Sequence, residues 1–144
     1  MKAFSKSLLV AAALAAVSSA SASSQTATQL DGDYKGSLVC AQLAGQPTVL
    51  RVPLDITVSN NTIKFARPIL NGPQVIGSEM GTGTIDGTSL NMTSNGTEGA
   101  TRYEGKYAGS LTADGGTFTG TQSWSVADVV RTRTCTGAFV KSRS

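Results

Sequence analysis

Histidine is absent from all 144 residues. That removes the usual general base at neutral pH and the commonest metal ligand. Cysteine occurs only at Cys40 and Cys135 and tryptophan only at Trp124. Once the cysteines pair, no thiol nucleophile remains. The nine acids are scattered from Asp31 to Asp128, several in turns where an Asp side chain bonds its own backbone. The 16 glycines include no segment that leads from a strand into a helix, so they do not form a phosphate loop. No enzymatic activity is expected, and no metal or other cofactor.

Long apolar runs are missing except at the start. Lys2 and Lys6 precede an Ala- and Leu-rich run from Leu8 to Val17, and Ala20-Ser21-Ala22 supplies small residues at a cleavage site. Residues 1–22 read as a secretory signal peptide, too short to span a membrane. The short, Ala-rich signal points to a bacterial protein that is periplasmic or secreted. Losing Lys2 and Lys6 takes the 12 basic residues to ten against nine acids, a net charge of +1. No basic patch of the kind nucleic acid requires is present, and no nucleic-acid partner or membrane span is expected. In an exported chain, two cysteines most often form one disulfide.

Residues 23–30 are Ser-, Thr- and Ala-rich without a period and read as a disordered lead-in. Residues 31–141 read as one domain, and 142–144 as a tail that frays with Lys141 and Arg143. Within the domain the period is two throughout. The strongest unit is a hairpin. Tyr103, Gly105, Tyr107, Gly109 and Leu111 share one face, Ala113-Asp114-Gly115-Gly116 turns, and Phe118, Gly120, Gln122 and Trp124 share the next. Earlier strands are expected at Asp33–Leu43 and Leu50–Val58, the second disturbed at Pro53. A third begins at Ile63 and breaks at Pro68 to Pro73. Further strands follow at Val75–Ile85 and, briefly, at Leu90–Met92, then a polar loop over Ser94–Gly99. Val130–Val140 is the last strand.

Eight strands joined by short turns predict an all-β, antiparallel up-and-down meander closed into a barrel. Cys40 on the first strand and Cys135 on the last are neighbours in a closed meander and lie at opposite edges of an open sheet, so a first-to-last-strand disulfide staples the seam. That pairing places Gly137 near Leu38 and Arg133 near Gln42. A two-sheet β-sandwich, which also brings the terminal strands together, is the alternative.

Inward glycines (Gly36, Gly105, Gly109, Gly120 and Gly137) alternate with aromatic residues. They permit two readings: rings lie over them and fill the barrel, or they leave space for one small ligand. The ligand reading takes Tyr103, Tyr107, Gln122, Trp124, Arg131 and Arg133 as contacts, with Gln42 as a further polar group. Arg131 and Arg133 share the parity of Cys135. Either both sit in water at the rim, or an inward Arg meets an acid or an anionic ligand. The opposite faces carry Thr117, Thr119, Thr121, Ser123, Ser125, Thr132, Thr134 and Thr136, a hydroxyl lattice able to meet a glycan or another protein.

The strand order, the export signal and the segment from Tyr103 through Trp124 to Phe139 resemble avidin-type and lipocalin-type (calycin-like) β-barrels. Tyr34 stands where those families place a Trp near the start of the first strand. The resemblance implies a small-ligand site at a barrel mouth; a separate bacterial family of small exported barrels fits equally. Two functions are therefore expected as alternatives. One is small-molecule or glycan binding in the mouth. The other is an inhibitor, protein-interaction or envelope-structural module that meets an envelope protein through its loops or the Thr-rich face.

Overall fold

The structure is a computed structural model that describes residues 29–43 and 48–143. The signal peptide expected at 1–22, most of the lead-in, and Ser144 lie outside the described residues. Nine strands follow in chain order: β1 (Gly32–Cys40), β2 (Leu50–Pro53), β3 (Ile56–Ser59), β4 (Thr62–Asn71), β5 (Gln74–Asp86), β6 (Ser89–Glu98), β7 (Thr101–Leu111), β8 (Gly115–Val126) and β9 (Val129–Lys141). Every pairing is antiparallel, and β1 pairs with β9 from Tyr34↔Lys141 to Cys40↔Cys135. The sheet thus closes on itself as a barrel, not a sandwich. Cys40 and Cys135 are disulfide-bonded across that seam. At the level of a closed antiparallel barrel, this is the architecture that the resemblance implied.

β2 and β3 together fill one barrel position. Leu50, Val52, Leu54, Ile56 and Val58 alternate inward, but Pro53 lacks an N–H and interrupts the strand. β2 then pairs with the second half of β1 and β3 with the first. At the turn after β3, Asn60 and Asn61 both take positive φ, 49° and 59°. That is the geometry of a two-residue hairpin whose twist matches its strands.

Three sequence expectations are corrected. Pro68 does not end its strand: β4 runs on to Asn71, because the edge on which Pro68 lacks a donor has no partner there (below). Ser94–Glu98 is no loop but the second half of β6, paired with β5 and β7 throughout, with Ser94 and Gly96 facing inward. Leu30 and Lys141 are tied into the domain. Leu30 is buried and accepts a hydrogen bond from the Tyr34 hydroxyl at 2.8 Å. Lys141 belongs to β9, donates to the Gln29 carbonyl at 3.0 Å and lies over the Tyr34 ring.

The interior divides into two halves. One end is packed by Tyr34, Ile56, Val58, Ile63, Ile85, Leu90, Leu111, Phe118 and Phe139. Phe118 stacks on Phe139 with ring centroids 5.0 Å apart and meets Tyr107 edge-on at 5.5 Å. A Cβ at Gly137 or Gly36 would overlap the rings of Phe118 and Phe139. Gly105 and Gly120 lie against Tyr107. Here the inward glycines admit rings and leave no space. The outward residues of β6, Ser89, Asn91, Thr93, Asn95 and Thr97, are polar and exposed. Among the described residues, no helix is long and apolar enough to cross a membrane.

Candidate functional site

The other half of the interior is polar and open. β4 pairs with β3 only through Thr62–Lys64, and β2 pairs only with β1. From Phe65 onward the two strands face each other with no ladder between them. The hydrogen-bond phase explains why they stay apart. Leu54 N–H donates to the Gly36 carbonyl, so even-numbered residues of β2 turn their backbone groups toward β1 and Pro53 turns its own outward. Ile85 N–H donates to the Asn61 carbonyl. Odd-numbered residues of β4 therefore face β5, while Ala66 and Pro68 face the gap. Both in-strand prolines thus put their missing donor at the same opening, a device that blunts free strand edges.

Behind the opening is a cavity of about 790 Å³, lined on the apolar side by Leu43, Leu50, Val52, Ile69 and Ile76, and on the polar side by Arg67, Glu98, Tyr103 and Arg133. The polar side chains are wired together. Arg67 forms an ion pair with Glu79, whose side chain is 1% exposed. The second oxygen of Glu79 accepts from Ser94 Oγ at 2.6 Å. Arg133, at 9% exposure, donates to the Gln122 carbonyl through Nε at 3.0 Å and through Nη2 at 2.5 Å. Burial draws the Arg133 pKa down; Tyr103, Tyr107 and, least, the Glu79 carboxylate oppose that, and the neighbouring Arg67 adds to it. No acid lies within ion-pair distance of Arg133 among the described residues.

Tyr103 donates to Glu98 Oε2 at 2.5 Å. Burial first, then this bond and the Glu98 charge, push the Tyr103 hydroxyl up to about 12, against opposing contributions from Arg133 and, less, Trp124. Burial, reinforced by the Glu79 charge, also pushes Tyr107 up to about 12. Three buried polar atoms at this end have no hydrogen-bond partner among the described residues: Arg67 Nε, Tyr107 OH and Gln122 Nε2. Buried groups of this kind are uncommon and call for an explanation.

The sequence-predicted contacts separate accordingly. Tyr103 and Arg133 line the cavity. Gln122 sits directly behind Arg133 and Tyr107 lies deeper, against the packed half. Arg131 and Trp124 pair across β8 and β9, with the guanidinium 5.7 Å from the ring centroid, at an exposed part of the rim. The two arginines therefore part company: Arg133 is buried and Arg131 exposed. Gln42 is exposed, beyond the last β1–β9 ladder pair. The Thr-rich face is solvent-facing, and Ser123 and Thr132 bond each other across it at 2.9 Å.

Sequence reading missed Arg67, Glu79, Glu98 and the β2–β4 opening. The signal for the opening was the pair of prolines inside alternating strands. The signal for Arg67 was its shared parity with Ile63 and Phe65.

No family model and no curated protein match the chain. Among solved structures it is similar to a structural-genomics protein of unknown function from Bacteroides ovatus, with a TM-score of 0.45 and 11% identity, over 77% of this chain and 41% of that one. The chain thus spans less than half of that protein. It is also similar to the ywiB protein from Bacillus subtilis, with a TM-score of 0.41 and 8% identity, over 77% of this chain and 91% of that one.

Proposed function

We propose that this protein is an exported binding protein, not an enzyme, and that it holds a small ligand in the open half of its barrel. The observation that carries the reading is the cavity of about 790 Å³ between β2 and β4, where apolar walls meet a few convergent polar groups. That combination is typical of small-molecule sites. The signal-like segment at residues 1–22 and the Cys40–Cys135 disulfide support export to an oxidising compartment. The most buried acid, Glu79, is already engaged by Arg67 and Ser94, which suits a supporting role better than proton transfer.

The test is a panel of small metabolites, sugars and amphiphiles, read by melting temperature and by Trp124 fluorescence. Trp124 is the only tryptophan and pairs with Tyr103 in the cavity wall. A ligand of the native state raises the melting temperature and changes the Trp124 signal. Silence of both readouts across the panel would contradict the reading and favour a module acting through its outer face.

A further inference from the structure

The polar wall also specifies what kind of ligand the cavity takes. Three guanidinium groups line it, Arg51 at the exposed rim and Arg67 and Arg133 further in, and each lowers the cost of an incoming negative charge. Of the two inner ones, only Arg67 has a carboxylate in contact, that of Glu79. The two acids in the lining itself are engaged elsewhere: Glu98 accepts from the Tyr103 hydroxyl and Asp55, at the outer edge, pairs with Lys35. Arg133 is left with a neutral amide oxygen as its acceptor. A buried cation with no carboxylate in contact is costly, and the cost is relieved by an anion brought by a partner. Gln122 Nε2 and Arg67 Nε, both buried and without a partner among the described residues, are donors of the same kind. Opposite these donors, Leu50, Val52, Ile69 and Ile76 offer nothing for a polar group to bond.

We infer that the cavity takes an amphiphilic carboxylate, a small molecule with one anionic head and an apolar body. The head lies against Arg133 and Arg67, where a planar carboxylate matches the guanidinium fork. The body lies along the β2 and β4 walls, and the gap held open by Pro53 and Pro68 is its way in. This inference rests on the ligand-binding reading above and narrows it.

The experiment titrates the mature, oxidised protein with decanoate, decanol and decylamine, using calorimetry and Trp124 fluorescence. Decanoate is expected to bind at least about tenfold more tightly than decanol, the worth of a charge-assisted hydrogen bond, with decylamine weakest. Arg133→Gln is expected to erase the preference for decanoate while leaving decanol binding in place. Val52→Trp, which narrows the groove from its apolar wall, is expected to weaken both while the preference for decanoate persists, and keeps the test decisive if Arg133→Gln fails to fold. Equal affinity for decanoate and decanol, or an unchanged preference in Arg133→Gln, would overturn the carboxylate assignment and leave the ligand-binding reading standing. So would binding of some other panel compound while the whole decyl series is silent. Silence of the decyl series and of the whole panel would overturn both.

Discussion

Arg133 and Gln122 face each other across the β8–β9 ladder inside the barrel, and the guanidinium donates to the same amide oxygen through Nε at 3.0 Å and Nη2 at 2.5 Å. The contact satisfies part of a buried cation with a neutral group. Gln122→Leu leaves Arg133 without that acceptor and is expected to cost about 1.5–3 kcal/mol, the range for hydrogen bonds to charged groups. Adding Arg133→Met to Gln122→Leu removes the stranded charge and is expected to restore part of the loss. Urea unfolding of the two single variants and the double variant measures both effects.

Glu79 is the buried counterweight for Arg67, which lines the same cavity. Glu79→Gln leaves a guanidinium in the interior without its carboxylate. The expected loss is about 3–5 kcal/mol, as for other buried pairs broken on one side. Ser94→Ala removes only the second bond to Glu79 and is expected to cost less, about 1–2 kcal/mol. Equal losses from the two changes would show that the ion pair contributes little.

The disulfide closes the barrel between its first and last strands, with 95 residues of sequence separation. A loop of that length restricts the unfolded chain by roughly 4–5 kcal/mol in the chain-entropy account. The Cys40→Ser, Cys135→Ser double variant is expected to lose about that much stability. Its midpoint in urea, compared with that of the oxidised parent, checks the figure.

Tyr103 and Tyr107 are both held at about 12, above the ordinary tyrosine value of 10.0. The folded protein keeps protons that the unfolded chain gives up. The stabilisation is therefore intact below pH 10 and is lost as pH rises from 10 toward 12. For Tyr107, the more buried of the two, a displacement of this size corresponds to about 2–3 kcal/mol. Tyr107→Phe is expected to remove that share of the alkaline loss, which denaturant melts across this pH window would show.

The barrel was legible in the sequence because each of its determinants is local or nearly so. Period-two alternation marks the strands, Asn60-Asn61 and Asp86-Gly87 mark turns, and the two cysteines give the closing register of β1 against β9. The site was legible only in part. Tyr103 and Arg133 were marked by inward parity near a strand end. The inward glycines allow either a filled interior or a cavity, and there Phe118, Phe139 and Tyr107 take up the room. Which ring swings over which glycine is decided by packing across the barrel, not by strand alternation. The opening between β2 and β4 arises from two prolines 15 positions apart, and only the hydrogen-bond phase of each strand shows that both face one gap. Ser94 and Gly96 were mistaken for loop because small polar residues give no hydrophobic alternation, although they line the inside beside Glu79.

The most direct test of the account is an NMR titration of the mature, oxidised protein, labelled with nitrogen-15, with decanoate. The account predicts shifts concentrated at Val52, Arg67, Ile76, Tyr103 and Arg133, including the Arg133 Nε–H signal, with the outward Thr117, Thr119, Thr134 and Thr136 unmoved. Shifts confined to the Thr-rich face, with the cavity residues silent, would contradict it.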